Sequence, residues 1–232
     1  MPTLRRKFVN FDDIAPASLS LLVGGDSVLK NASYSKAAHG RSIVLINNGN
    51  GKFTWKDLPI ISQISPVFGT ILEDINEDGN LDIIHAGNFY GPDREMWRFD
   101  AGVGQVLLGN GKGEFSPLSV LESGFYVPGE ARAALTVPLK DKNEVHLIIA
   151  SCKNKVQTFQ KRLSNGSKII GIDPKKKINK AIVQFKNGQK RMTEFYMGSG
   201  YYSQSSQYVI VNKDVKEITF MNGETIISTL KY

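Results

Sequence analysis

The sequence predicts an all-β chain: a partial β-propeller of two to three blades over residues 1–162, then a small β domain over residues 163–232. Three observations predict it. An internal repeat runs through the first part at a constant offset of 62 residues. Asn-Gly tips separate short apolar runs, which is the strongest local signal for β-hairpins. Helical periodicity is nearly absent, and repeats of this length built from four short strands point to propeller blades.

The repeat places Val44–Phe53 onto Val106–Phe115, and Leu21-Leu22-Val23-Gly24-Gly25 onto Ile83-Ile84-His85-Ala86-Gly87. A looser copy, Leu147 to Ser151, lies 64 residues further on. Each unit thus holds an apolar strand, a long excursion, a second strand and a Gly-Asn hairpin. The first copy predicts a strand at Leu21–Gly25.

Between the first two copies stands Asp74-Ile75-Asn76-Glu77-Asp78-Gly79-Asn80-Leu81-Asp82. Its oxygen-bearing side chains at loop positions 1, 3, 5 and 9 suit a single convergence point, with Gly79 making the sharp turn and the Asn80 carbonyl facing inward. Three carboxylates in one short loop repel one another unless a cation sits among them. A hard, oxygen-seeking cation of flexible coordination fits, calcium before magnesium. An EF-hand continues to a Glu at position 12, but here that position is His85 within an apolar run, so the loop leads into a strand. An Asx-rich turn without metal is the plain alternative. The flanking copies put Asp12, Ile14, Pro16 and Ser20, or Pro138, Lys140, Lys142 and His146, at the same positions, so one site is expected.

After residue 162, turn-formers at Ser164–Ser167 and Asp173-Pro174 give way to strands at Ala181–Phe185, Arg191–Tyr196, Tyr208–Val211, Lys216–Phe220 and Thr225–Leu230. Asn187-Gly188 and Asn222-Gly223 supply the turns. Charge shifts at the same boundary. Residues 1–159 carry 16 Lys+Arg against 17 Asp+Glu, whereas residues 160–232 carry 13 against 5, giving +7 over the chain. The lysines are dispersed along strands, which argues a solvated surface and no nucleic-acid partner. Apolar runs fall well short of a membrane span, the basic start has no apolar h-region of a signal peptide, and Cys152 is alone, so no disulfide framework is expected.

These residues carry a resemblance. The acidic loop, the following strand and hairpins such as Asn48-Gly49-Asn50-Gly51-Lys52-Phe53 resemble FG-GAP/VCBS repeats of secreted and surface propellers. The excursion Gly87-Asn88-Phe89-Tyr90-Gly91-Pro92, with Glu95, Arg98, Phe99, Asp100 and Ala101, is similar to a recurrent form of that repeat in Bacteroidetes-type proteins. Gly198-Ser199-Gly200-Tyr201-Tyr202-Ser203-Gln204-Ser205-Ser206 resembles the signature of the ASPIC/UnbV domain, which follows such repeats in the cartilage acidic protein family. The resemblance implies a calcium-binding module, non-catalytic, for adhesion-like binding or scaffolding of a protein or glycan, at an extracellular, cell-surface or periplasmic location. It implies metal ligands at Asp74, Asn76, Asp78, Asn80 and Asp82.

No nucleophile elbow, zinc-protease helix or phosphate loop occurs, and His39, His85 and His146 are far apart in sequence. The alternative to a binding module is a carbohydrate-processing enzyme or accessory domain. Tyr90, Trp97, Tyr201 and Tyr202 would then be sugar platforms, with Glu95 and Arg98 beside them; core packing and an ion pair are the plainer roles. Family propellers close a ring of more blades than fit here, so the chain is expected to be part of a larger propeller or a truncated relative. Its open blade faces would be covered by docking of the C-terminal module, by further blades or by self-association. The isolated chain is accordingly expected to be oligomeric or marginally stable. Light scattering checks this, and a monodisperse, thermostable monomer without a covered face would reject it.

Overall fold

The computed structural model describes residues 2–92 and 96–232. By internal contacts the chain divides into residues 1–40 and residues 41–232. The first unit holds four short helices, α1 (Pro2–Lys7), α2 (Phe11–Ile14), α3 (Leu19–Val23) and α4 (Asp26–Lys30). Here the expected strand at Leu21–Gly25 is corrected. Ser18 caps the turn by accepting from the Leu21 N–H at 3.3 Å, and Gly24 ends it at φ 109°. An apolar quintet with a serine cap before it and a left-handed glycine after it satisfies its backbone locally as a helical turn.

From residue 41 the chain is mostly β. A hairpin, β1 (Ile43–Asn47) and β2 (Phe53–Asp57), is closed by the Asn48–Gly51 tip and pairs Leu45 with Trp55. A four-stranded antiparallel sheet follows in chain order: β3 (Val67–Glu73), β4 (Asp82–Gly87), β5 (Gln105–Gly109) and β6 (Phe115–Leu118). A three-stranded sheet comprises β7 (Ala131–Leu139), β8 (Glu144–Ser151) and β9 (Gln157–Arg162). The predicted apolar runs at Ile83–Gly87 and Leu147–Ser151 fall in the central strands β4, buried throughout, and β8, which alternates buried and half-buried residues. Ile71, Ile84 and Val106 of the first of these sheets pack with Ala134, Leu147 and Ile149 of the second in one core. Among the described residues none of the sheets closes into a ring.

The last part contains β10 (Lys168–Gly171), β11 (Lys180–Phe185), β12 (Lys190–Glu194), β13 (Tyr208–Val211), β14 (Val215–Asn222) and β15 (Thr225–Lys231). β10 pairs with β13, and a sheet of order β12-β11-β14-β15 packs on them through Val183, Phe185, Val209, Val211, Ile218 and Phe220. The Asn187-Gly188 and Asn222-Gly223 turns stand where the sequence placed them, joining β11 to β12 and β14 to β15. Among the described residues no helix is long and apolar enough to cross a membrane.

The tail motif is structural in placement. Ser206 N–H donates to the Thr136 carbonyl at 2.9 Å, Thr136 N–H donates to Ser205 Oγ at 3.1 Å, and Ser203 Oγ donates to the Ala134 carbonyl at 3.0 Å. The motif therefore occupies the open edge of β7, giving its outward backbone groups partners they would otherwise lack. Gln204 ties the turn together, its side chain donating to the Tyr196 carbonyl at 3.1 Å. Gly200 is needed for space: an added Cβ would lie 2.4 Å from Ser203 Oγ. Gly200→Val is expected to push the Ser203 hydroxyl off Ala134 and destabilise the protein by about 1–3 kcal/mol. Chemical denaturation checks it, and an unchanged midpoint would remove the motif from this role.

Candidate functional site

The loop from Asp74 to Asp82 joins β3 to β4, and its two ends are register partners across the hairpin, Glu73 opposite Asp82. Turning within it needs two left-handed residues, Glu77 at φ 60° and Gly79 at φ 93°. Asn76 Oδ1 accepts from the Asp78 N–H at 3.2 Å, and Asp78 Oδ1 accepts from the Asn80 N–H at 2.7 Å. These are successive Asx turns, so the sequence pattern folds itself locally. Asn76 Nδ2 also donates to Asp78 Oδ2 at 3.0 Å.

Asp82 is wholly buried. Its Oδ2 accepts from the Ile75 N–H at 2.7 Å and its Oδ1 from the Gly109 N–H at 2.8 Å, tying the loop to the end of β5. Burial pushes its carboxyl above the ordinary range, and the two N–H donors offset only part of this. Asp74 is likewise buried; its Oδ2 accepts from the Gly79 N–H at 3.0 Å, while Oδ1 has no hydrogen-bond partner.

A cation from the chain itself meets this loop. Arg191 on β12 donates through Nη1 to Asp74 Oδ2 at 2.7 Å and to the Gly79 carbonyl at 3.1 Å. The guanidinium lies 5.5 Å from the Phe185 ring, which also packs on Gly79. Lys161 donates to the Asp74 carbonyl. Glu77 reaches the other way and accepts from Ser164 N–H at 2.7 Å and Ser167 Oγ at 2.6 Å. Burial raises the Glu77 pKa, but those donors outweigh it and hold the carboxyl below its usual range. Asn212 Nδ2 donates to the Glu77 carbonyl at 3.0 Å, and Gln189 Nε2 donates to Asn80 Oδ1 at 3.1 Å. The acidic loop is thus also a clasp for residues after 160.

Would the donor set hold calcium? In its favour stand the Asx turns, the free Asn80 carbonyl expected at position 7, and the orphaned Asp74 Oδ1, a buried acceptor in want of a positive partner. On the other side, Arg191 supplies one positive charge to Asp74, and Asp82 spends both oxygens on backbone donors. Among the described residues no three acidic, imidazole or thiol groups gather as a ligand cluster. The chemistry fits a cation that shares Asp74 with Arg191. Arg191 and Glu77 carried no sequence signal. Arg191 is one of several basic residues on β11–β12 and their turn, and Glu77 sits at a loop position that contributes no ligand.

Of the nominated ligand-binding residues, Glu95 lies outside the described residues. Tyr90 donates its hydroxyl to the Pro128 carbonyl at 3.0 Å, its N–H donates to Glu130 Oε1 at 2.9 Å, and the Arg98 guanidinium stands 5.2 Å from its ring. Tyr201 packs on Phe68 at 5.5 Å and edge-on to Tyr202 at 4.5 Å. Arg132, paired with Glu130, covers Phe68 at 4.1 Å. Tyr90 therefore meets Glu130, and Tyr201 meets Phe68, which Arg132 covers, while Trp97 and Tyr202 project into solvent. His85 is buried and shares a 2.7 Å hydrogen bond with Gln105 Oε1; burial lowers its pKa, so it is a packed neutral imidazole.

The larger concavity is elsewhere. A cleft of about 450 Å³ runs between β3 (Thr70–Glu73), β12 with its extension (Arg191–Tyr196) and the Gln204–Ile210 stretch. Burial raises the Glu73 pKa, and the Tyr208 hydroxyl donates to its carboxylate. Of the sequence-nominated ligand-binding residues, none among the described residues lines this cleft. It joins β3 to strands more than a hundred residues later, which no local pattern reveals. No protein-family model and no curated protein matches the chain.

Removing one partner from a buried ion pair strands the other charge. Arg191→Met is expected to destabilise the protein by about 3–5 kcal/mol in calcium-free buffer. Glu224→Ala, which breaks the Lys180–Glu224 pair at an exposed carboxylate, should change stability by no more than about 1 kcal/mol. Urea melts of the two variants check the contrast; equal small effects would show that the Asp74–Arg191 contact does not hold the loop.

Proposed function

We propose that this chain is a calcium-stabilised, non-catalytic binding or scaffolding module of the FG-GAP/VCBS type with an ASPIC/UnbV-like tail, working outside the cytoplasm on a protein or glycan. In this reading β3–β6 is one propeller blade, β7–β9 is most of another, and further blades or a second copy cover the exposed face of β1–β2. The observation that carries the calcium reading is Asp74 Oδ1, buried without a donor in a loop whose Asx turns already hold Asn76 and Asp78 in place. Asp74, Asn76, Asp78, Asp82 and the Asn80 carbonyl would hold the ion, which when bound supplies positive charge to a carboxylate-rich loop. Arg191 sets how much charge remains for it to neutralise. Millimolar external calcium fills even a modest site of this kind, which supports the location.

One observation favours the second reading, a carbohydrate-processing activity: the carboxyls of Glu73 and Glu194 line the same cleft. Against it, Glu73 is covered by the Tyr208 hydroxyl and Glu194 accepts from the Tyr196 hydroxyl.

Calcium at 100 times its dissociation constant is expected to stabilise the folded chain by about 2.7 kcal/mol, read as a rise in Tm that chelator reverses. Asp78→Ala should abolish the rise, and Asp12→Ala, in the degenerate copy, should leave it intact. A Tm unmoved by calcium in wild type would reject the calcium reading. Turnover of a glycoside that Glu194→Gln abolishes would replace the binding module with the enzyme.

A further inference from the structure

We propose that the cleft between β3 and β12 is the ligand site, and that it takes a neutral carbohydrate of one or two sugar rings; this rests on the binding-module reading and selects its ligand. At about 450 Å³ the cleft falls in the ordinary range for small-molecule sites, about 300–1,000 Å³. Its lining combines two kinds of surface. Leu72, Met192 and Tyr196 stand more than half exposed along it, at 61, 54 and 59%. Large apolar side chains left open in a cleft match the C–H faces of a pyranose ring, and a tyrosine offers such a face a flat platform with little conformational freedom to lose.

Around them stand groups that suit hydroxyls. Glu194 brings a carboxylate, one oxygen of which takes the Tyr196 hydroxyl while the other can accept from a ligand hydroxyl. The β12 edge adds backbone groups. Phe195 N–H donates to Asn179 and Phe185 N–H to the Gln189 carbonyl, so the odd-numbered residues of β12 face β11. Met192 and Glu194 consequently turn their N–H and C=O groups outward on the open edge.

Charge selects among polar ligands. The Arg191 guanidinium already faces the Asp74 carboxylate at 2.7 Å, and the other ionisable walls named here are the carboxyls of Glu73 and Glu194. A uronate or phosphorylated sugar would bring a second negative charge to that wall. An extended peptide could bond the same strand edge, but its backbone brings no hydroxyl to the Glu194 carboxylate.

The test is ligand-observed saturation transfer and a ¹H–¹⁵N titration of the full chain. Probes are methyl glycosides of glucose, galactose and mannose, the disaccharides lactose, cellobiose and maltose, glucuronate, and a capped tetra-alanine peptide. At least one neutral sugar is expected to bind, shifting amides of residues 192–196 and 204–207, with glucuronate at least tenfold weaker. Tyr196→Ala should weaken that sugar about tenfold with Tm unchanged, and Tyr202→Ala should leave its affinity within twofold. Transfer from no neutral sugar overturns the proposal, as does tighter binding of glucuronate or of the peptide. Loss of sugar binding on Tyr202→Ala with Tyr196→Ala silent would place the glycan on the other surface; the binding-module reading would survive while the cleft would not. A calcium-insensitive Tm with sugar bound in the cleft would reject the calcium reading and leave the cleft standing.

Discussion

The contact between Asp74 and Arg191 is the constraint on which the arrangement of residues 41–232 depends. It joins a loop between β3 and β4 to a strand more than a hundred residues later, and both side chains are largely removed from water, at 8 and 13% exposure. An ion pair in that setting contributes little net stability over a well-packed apolar pair. What it does is specify. With Arg191 bonded to Asp74 and to the Gly79 carbonyl, only one register of β12 against the loop satisfies both charges. Glu77, Asn80 and Asn212 then add bonds that follow from that register.

The same pair explains why the loop is electrostatically poised. Four carboxylates, Asp74, Glu77, Asp78 and Asp82, lie within nine residues; Glu77 turns away to Ser164 and Ser167, and the chain answers the rest with one guanidinium and with the Lys161 ammonium on the Asp74 carbonyl. Asp82 escapes the problem by burial between two backbone donors. A bound cation and Arg191 would address one carboxylate together, so the strength of metal binding and the fit of the tail are two aspects of a single balance. The tail motif acts independently of it, through neutral hydrogen bonds to the β7 edge.

What the sequence disclosed follows from how local each feature is. The hairpin tips at Asn48–Gly51, Asn110–Gly113, Asn187-Gly188 and Asn222-Gly223 were legible because turn chemistry resides in the turn residues themselves. The central strands β4 and β8 were legible as short apolar runs within a repeat. Leu21–Gly25 aligns in the repeat with Ile83–Gly87 of β4, but Leu21–Val23 close α3 and Gly24 caps it, because a strand needs partners on either side and a capped turn needs none. Asp74–Asp82 was legible as a loop of Asx turns. Its partner Arg191 was not, since nothing near Lys186, Lys190 or Arg191 says which cation will face a loop far away in the chain. The cleft was invisible for the same reason: its walls are adjacent only in the fold.

Asn88, buried at φ 80°, closes the base of the excursion that begins at Phe89. Its amide donates to the carbonyls of Gly102, Pro128 and Gly129, and its Oδ1 accepts from the Gly102 N–H and from Ser65 Oγ. Phe89 and Phe99 then bridge backbone to backbone just above. One side chain thus seals the sheet beneath the segment, so the sheet is indifferent to how long that segment is. Closing a longer loop on a fixed base costs only about 0.6 kcal/mol per doubling. The stretch between Tyr90 and Arg98, where an insertion keeps the Tyr90 bonds to Glu130 and Pro128, is therefore a natural graft point for an epitope, a reporter peptide or an extra recognition loop, carried without recutting the strands below.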